Sequence, residues 1–264
     1  MTVSRRSLMI WGCGAALTGL TVTAEAHAEA AGLIAAATDL KFALPELARQ
    51  FEADSGHTLT LTYGSSGVLA TQIAKGAPFE LFFSADEALV QDLAGQGLTR
   101  DGGTLYGLGR LSLFAPETSP VQVDAEFNGV KAALADGKIL KFSIANPAHA
   151  PYGRAAREAL QKAGLWEAVS PLLVLGENAT QALQFATDGG ADAALVPAPL
   201  VEAPEFSGKG RHVRLSGEIA APLRQRMVLM KSAGQAATDF AAFITSDKGR
   251  AVLAKYGFSL PDRP

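Results

Sequence analysis

From Gly32 onward, short apolar runs alternate with segments whose apolar residues recur at helical spacing. The short runs predict strands, and the segments between them predict helices. The predicted strands occupy residues 33–37, 57–63, 79–85, 107–116, 141–147, 172–178, 191–197 and 222–231. The predicted helices occupy residues 45–56, 66–76, 86–97, 152–164, 179–190, 236–245 and 246–257. This alternation is typical of βαβ units around a parallel sheet, so the predicted fold class is α/β.

The order of the elements favours two α/β lobes over a single core. The pattern restarts after residues 107–116, no low-complexity linker divides the chain, and the length suits two domains. A second lobe inserted into the first explains these observations. The predicted bounds are 29–111 and 222–264 for lobe 1 and 112–221 for lobe 2, with crossing strands at 107–116 and 222–231.

The first 28 residues predict an export signal. Arg5 and Arg6 precede a short apolar run that leads to Ala26-His27-Ala28, an A-x-A cleavage pattern. The paired arginines resemble a twin-arginine signal, which directs export to the periplasm, and an ordinary secretion signal is the alternative. The apolar run is shorter than the roughly 20 residues that a membrane-spanning helix needs.

The composition and charge of the chain exclude several classes of function. Cleavage after residue 28 removes Arg5, Arg6 and Glu25 and leaves 236 residues with a net charge of −4. This mild acidity offers no basic surface to nucleic acid. Cys13, the single cysteine, falls in the predicted signal. The exported chain therefore has no thiol for disulfides, metal ligation or nucleophilic catalysis.

The sequence lacks the common motifs of catalysis. The Gly-Ser-Ser-Gly turn at 64–67 differs from a G-x-S-x-G nucleophile elbow, because its last glycine comes one place early. No phosphate-loop motif or H-x-x-x-H spacing occurs, and His57 and His149 lie beside turns, where surface positions are expected. We therefore predict a binding protein that is not an enzyme, with no cofactor and no metal cation held directly by the protein.

Four turns share one design, in which an apolar strand meets a small or polar residue and then a helix start. They are AAATDL (35–40), YGSSGV (63–68), NPAHAPYGR (146–154) and GENATQ (176–181). In parallel α/β sheets such turns lie at the carboxyl ends of the strands, where ligands bind. Helix starts offer free N–H donors and partial positive charge, so convergent turns would form an anion site without Lys or Arg. Ordinary caps and turns are the alternative.

The residues in these turns suit an anion. Thr38 and Ser66 can each offer a hydroxyl as well as an amide. Gly64 and Gly67 have no side chain that would keep a ligand from the backbone. Asn178 is a good N-cap for the helix that begins after it.

These turns, together with GAPFELFFSAD and the terminal KYGFSLP, resemble the periplasmic molybdate-binding proteins of ABC transporters. The resemblance runs from about Leu33 to Pro261. It implies two α/β lobes joined by two crossing strands, with a tetrahedral oxyanion, molybdate or tungstate, held in the cleft. It also implies a monomer that delivers its ligand to a membrane permease and its ATPase.

The resemblance assigns roles to individual residues. It implies that Thr38 and Ser66 bind the oxyanion through hydroxyl and amide groups. It implies that Tyr152 and Ala179 add donors, mainly backbone N–H groups, from the second lobe. Ser65 is included in the predicted site as a supporting turn residue.

Two positions depart from the family pattern. Pro197 stands where some members have a tyrosine, so that hydroxyl is missing, and Tyr152 resembles a second branch that places a tyrosine earlier. Asp39 stands where that branch often has asparagine. A carboxylate beside a dianion is unfavourable, so Asp39, although next to the predicted ligands, is expected to turn outward and complement the helix dipole.

Other ligands and classes remain as alternatives. Sulfate, phosphate, vanadate or a small organic anion would suit the same architecture, and Asp39 is a candidate acceptor for the remaining proton of phosphate. An enzyme on this fold, such as a deaminase-type pyrrole polymerase, would need a cysteine to anchor its cofactor. A transcription regulator would need an attached DNA-binding helix-turn-helix.

Overall fold

The structure, a computed structural model, describes residues 31–262, so the predicted export signal lies outside the described residues. Ten strands occur in this range. They are β1 (Gly32–Ala37), β2 (Leu59–Gly64), β3 (Leu81–Ser84), β4 (Thr104–Gly109), β5 (Leu111–Ala115), β6 (Phe142–Ala145), β7 (Leu173–Gly176), β8 (Ala193–Pro197), β9 (Arg211–Arg214) and β10 (Leu223–Leu229).

Ten α-helices occur in the same range, and several have the ends that their sequences predict. They are α1 (Ala43–Ser55), α2 (Ser66–Ala74), α3 (Glu87–Gly95), α4 (Asn128–Ala135), α5 (Pro151–Lys162), α6 (Trp166–Val169), α7 (Ala179–Thr187), α8 (Ala198–Val201), α9 (Gln235–Thr245) and α10 (Asp247–Lys255). Gly56, at φ 75°, ends α1 in the left-handed conformation that glycine adopts easily. Asp86 and Asn178 cap α3 and α7 through their side-chain oxygens.

The strands form two five-stranded sheets with the same internal plan. The first has the order β2-β1-β3-β10-β4, and the second has the order β7-β6-β8-β5-β9. In each sheet three parallel strands are followed by one that runs antiparallel to them. Helices cover both faces of each sheet, with separate apolar clusters on either side. The predicted two-lobed α/β fold is confirmed, while the lobe bounds stay a prediction.

The chain passes between the sheets at two places. Only Arg110 separates β4 in the first sheet from β5 in the second, so the predicted crossing at 107–116 contains parts of two strands. The chain returns through residues 215–222, which precede β10. Among the described residues, β10 pairs with β3 and β4 only, so the segment predicted as the second crossing strand lies within the first sheet. Within residues 31–262, no helix is long and apolar enough to cross a membrane.

Candidate functional site

The carboxyl ends of the parallel strands in both sheets meet at one small cavity. Its lining consists of Ala37, Thr38, Asp39, Gly64, Ser65, Ser66, Ala85, Ala150, Pro151, Tyr152 and Ala179. The structure thus brings together all six residues of the predicted site, although their binding role stays a prediction. The cavity volume is about 10 Å³, near the smallest space that holds one water, whereas sites for drug-sized ligands have about 300 Å³ or more.

Ser66 is positioned with a free hydroxyl hydrogen. It is the first residue of α2 and is buried, with 1% of its surface exposed. Its Oγ accepts a hydrogen bond from the backbone N–H of Ala85 at 3.0 Å. Because a hydroxyl has one donor and two acceptor sites, this bond fixes the oxygen and leaves the hydrogen available to a ligand.

Ser65 and Gly67 contact the second lobe. The Ser65 hydroxyl donates to the carbonyl oxygen of His149 at 2.6 Å, and the N–H of Gly67 donates to the same oxygen at 3.1 Å. A Cβ atom at position 67 would lie 2.4 Å from that oxygen. Gly67 is therefore needed for the close approach of the lobes. Its N–H donates to His149, so the structure does not support the prediction that Gly67 lets a ligand reach the backbone.

Thr38 reaches the second lobe through its backbone. It follows β1 directly, and its carbonyl oxygen accepts from the hydroxyl of Thr180 at 3.3 Å. The register places Ala37 opposite Gly64, which brings Thr38 beside the Gly-Ser-Ser-Gly turn. Both walls of the cavity are thus tied together next to the residues that were predicted to bind.

The second lobe contributes helix starts rather than side chains. Pro151 is the first residue of α5, and the preceding Ala150 has no side-chain acceptor for the next N–H groups. In α7 the Asn178 side chain accepts from the N–H of Gln181 at 3.0 Å. The first N–H groups of a helix have no partner within it, so those of Tyr152 and Ala179 can serve a ligand at the cavity.

Asp39 does not turn outward, so that prediction is wrong. Only 2% of the residue is exposed, and its Oδ2 accepts from Nε2 of Gln225 at 2.6 Å. Its Oδ1 is buried without a hydrogen-bond partner among the described residues. Burial raises the pKa of Asp39 to about 6, and hydrogen bonds from Gln225 and Tyr152 offset part of the rise.

The hydroxyl of Tyr152 belongs to this buried cluster. It accepts from Nε2 of Gln225 at 3.0 Å and lies beside the Asp39 carboxylate. Burial, together with the nearby Asp39 charge, raises the pKa of Tyr152 well above its usual value. A Cβ atom at Gly109 would lie 2.1 Å from the Tyr152 hydroxyl and 2.4 Å from Gln225 Nε2. The glycine at the end of β4 therefore makes room for both groups.

The cavity lacks a formal positive charge. Among the described residues that line it there is no Lys, Arg or His. Arg154 lies nearby on α5, but it pairs with Asp86 across the cleft at 2.5 Å. Within residues 31–262, no cluster of three or more His, Cys, Asp or Glu side chains could hold a metal ion.

Comparison with known proteins agrees with this architecture. The family model of bacterial extracellular solute-binding proteins matches residues 33–259. The chain belongs to this family. The match covers both sheets and every residue that lines the cavity.

Named relatives of this solute-binding protein include molybdate binders. It is 34% identical over 236 residues to the molybdate-binding protein ModA of Rhodobacter capsulatus, covering 87% of this chain and 89% of that one. It is 33% identical over 233 residues to ModA of Azotobacter vinelandii, covering 86% and 89%. The solved periplasmic molybdate-binding protein of Azotobacter vinelandii matches with a TM-score of 0.80 at 29% identity, covering 88% of this chain and 100% of that one. The resemblance stated from the sequence is confirmed.

Two residues of this solute-binding protein's site were missed from its sequence. Gln225 lies on the same face of β10 as Leu223 and Met227. A polar residue among apolar ones on that face was the signal that could have identified it. His149 was expected at the surface, but it is half-buried, and its Nδ1 lies 3.1 Å from Ser65 Oγ. Pro197 is buried at the end of β8 and is not among the described residues that line the cavity.

Proposed function

We propose that this protein captures molybdate or tungstate outside the cytoplasm and delivers it to an ABC permease with its ATPase. The observation that carries the proposal is the convergence of Thr38, Ser66 and two helix starts on one point between the lobes, where the lobes would part slightly to fit the anion. The similarity to named molybdate-binding proteins supports the choice of ligand. We further propose periplasmic export by the twin-arginine route, a monomeric state and no enzymatic activity.

Neutral donors can hold a dianion in such a cavity. Hydrogen bonds to a charged group are about twice as strong as neutral ones, and helix N-termini add partial positive charge. Ser66, Tyr152 and Ala179 lie at the starts of α2, α5 and α7. The bound anion would contact both lobes, and these contacts exist only when the cleft is closed. Binding therefore favours the closed state, which the permease would recognise.

The fixed donors would select by size. Sulfate is smaller than molybdate and would leave some donors unsatisfied, at a cost of roughly 1–3 kcal/mol each. Tungstate is nearly the same size as molybdate, so little discrimination between the two is expected.

A second candidate ligand is a protonated oxyanion such as hydrogen phosphate. The observation that favours it is the buried carboxylate of Asp39 in the cavity lining, whose Oδ1 could accept a hydrogen bond from the protonated ligand.

Thermal unfolding with molybdate, tungstate, sulfate and phosphate tests the proposal. A ligand at 100 times its Kd adds about 2.7 kcal/mol of stability to the folded state. We expect clear increases in Tm with molybdate and tungstate and little change with sulfate. Stabilisation by phosphate alone would reject the molybdate assignment in favour of the second candidate.

A further inference from the structure

The carboxylate of Asp39 is an unusual neighbour for a bound anion. It lines the cavity with 2% of the residue exposed. Oδ2 is held by Gln225, whereas Oδ1 is buried and unpartnered among the described residues. An ionised carboxylate and a dianion in the same buried site would repel each other strongly, because solvent does not screen them.

The groups around Asp39 supply no compensating positive charge. Gln225 comes from β10, Tyr152 from α5 and Tyr106 from β4, and all three are neutral. The backbone N–H groups of Asp39 and Leu40 face the carboxylate and oppose part of the rise in its pKa that burial causes. The helices α7 and α8, which pack against residues 38–40, contain no titratable side chain.

We propose that Asp39 takes up one proton from solvent when the oxyanion binds, and that its protonated Oδ1 donates a hydrogen bond to the anion. This inference rests on the proposed function, because it concerns how the same cavity holds a dianion. The carboxylate gains a proton and becomes a carboxylic acid, and no other covalent bond changes. Gln225 continues to donate to Oδ2, and the unpartnered oxygen gains a partner.

The environment favours protonation even before the ligand arrives. Burial raises the pKa of Asp39 to about 6. A bound dianion raises the pKa further, since a like charge disfavours ionisation. Near neutral pH the carboxyl is mostly ionised in the free protein and protonated in the complex. Above pH ~6, Kd should therefore rise about tenfold per pH unit until the pKa of the complex is reached.

Titration calorimetry with molybdate measures this proton directly. Buffers of different ionisation enthalpy report how many protons are taken up with each anion. From pH ~6.5 to ~8.5, where molybdate itself is fully deprotonated, we expect close to one proton and about a tenfold rise in Kd per pH unit. The wild-type measurement is sufficient alone, so the test does not depend on a variant that folds.

Asp39→Asn provides the comparison. Its amide carries a permanent donor in place of the proton, so we expect no proton uptake, a Kd independent of pH, and tighter binding than wild type at pH ~8.5. The exposed Asp188→Asn removes the same charge from the end of α7 and should keep the wild-type pH dependence.

The outcomes separate this inference from the proposed function. Molybdate binding without proton uptake, or an equal pH dependence in Asp39→Asn, would overturn the proton-linked role and leave the ligand assignment intact. Absence of molybdate and tungstate binding at every pH would reject the proposed function, and the inference with it. Phosphate binding that Asp39→Asn abolishes would show that an ionised carboxylate accepts a hydrogen bond from the ligand, which also contradicts the inference.

Discussion

The two walls of the cavity are built from different chemical groups. The first lobe presents side chains, namely the hydroxyls of Thr38 and Ser66 and the carboxyl of Asp39. The second lobe presents the starts of α5 and α7, and the hydroxyl of its one large side chain in the lining, Tyr152, accepts a hydrogen bond from Gln225. The first wall should therefore be sensitive to side-chain replacement, whereas the second should tolerate changes that keep its backbone N–H groups in place.

The largest expected effect concerns the contact that joins the two walls. In Gly67→Ala the new Cβ would lie 2.4 Å from the carbonyl oxygen of His149 and oppose closure. We expect molybdate affinity to fall about a hundredfold or more, because the closed state becomes scarce. Alanine suits a helix, so the unliganded protein should stay folded. Calorimetry measures the affinity, and small-angle scattering measures closure.

Gly95→Ala is the matched control for this change. It lies in α3, and a Cβ atom there would meet nothing within 4 Å. Its affinity and closure should equal those of the wild type. If Gly67→Ala became as compact as the wild type on binding molybdate and kept its affinity, the role assigned to Gly67 would be contradicted.

Asp39 should also affect the stability of the unliganded protein. Its pKa is about 6 in the folded protein against 3.8 ordinarily, so the folded state holds the proton more tightly. The contribution to stability is fully present below pH ~4 and is lost as pH rises to ~6, which costs up to about 3 kcal/mol. Asp39→Asn should remove this loss. Urea unfolding at pH ~4 and ~7 measures the free energy of unfolding of both proteins. An equal difference between Asp39→Asn and wild type at the two pH values would contradict the ionisation of a buried Asp39.

Ser66→Ala tests the side-chain wall. A hydrogen bond to a charged group contributes about 1.5–3 kcal/mol, so affinity should fall about tenfold to a hundredfold. Calorimetry on Ser66→Ala and on the exposed Ser207→Ala measures the difference, and only the first should lose affinity. Full affinity in Ser66→Ala would remove this hydroxyl from the site.

Ala179→Gly tests the backbone wall and has the smallest expected effect. The variant keeps the N–H at the start of α7, so we expect a loss of about threefold or less, from backbone freedom alone. The same calorimetric titration gives the comparison with Ser66→Ala. Equal losses of affinity in the two variants would contradict the distinction between a side-chain wall and a backbone wall.

Local patterns predicted most of the fold and the location of the cavity. Strand–helix alternation and caps such as Asp86 and Asn178 depend on neighbouring residues, so they can be read from the sequence. Helix α4 was missed because its capping is displaced. Asp124 accepts N–H groups from as far as Gly129 at 2.7 Å, and the intervening Phe127 has a φ of 65°.

The site was predicted only in part, for a related reason. The position of each turn follows from local sequence, but the surroundings of Asp39 depend on Gln225 and Tyr152, which are distant along the chain. Likewise, the partner of Ser65 and Gly67 is the His149 carbonyl in the other lobe. Local periodicity has no information about such pairings.

The single residue Arg110 between β4 and β5 limits how the lobes can move. A connection of this length lets the two sheets tilt but holds the end of β4 close to the start of β5. A larger anion must therefore change the angle between the lobes rather than the distance between the ends of β4 and β5. Small differences in anion radius at the cleft become larger displacements at the outer surfaces, in proportion to their distance from this pivot.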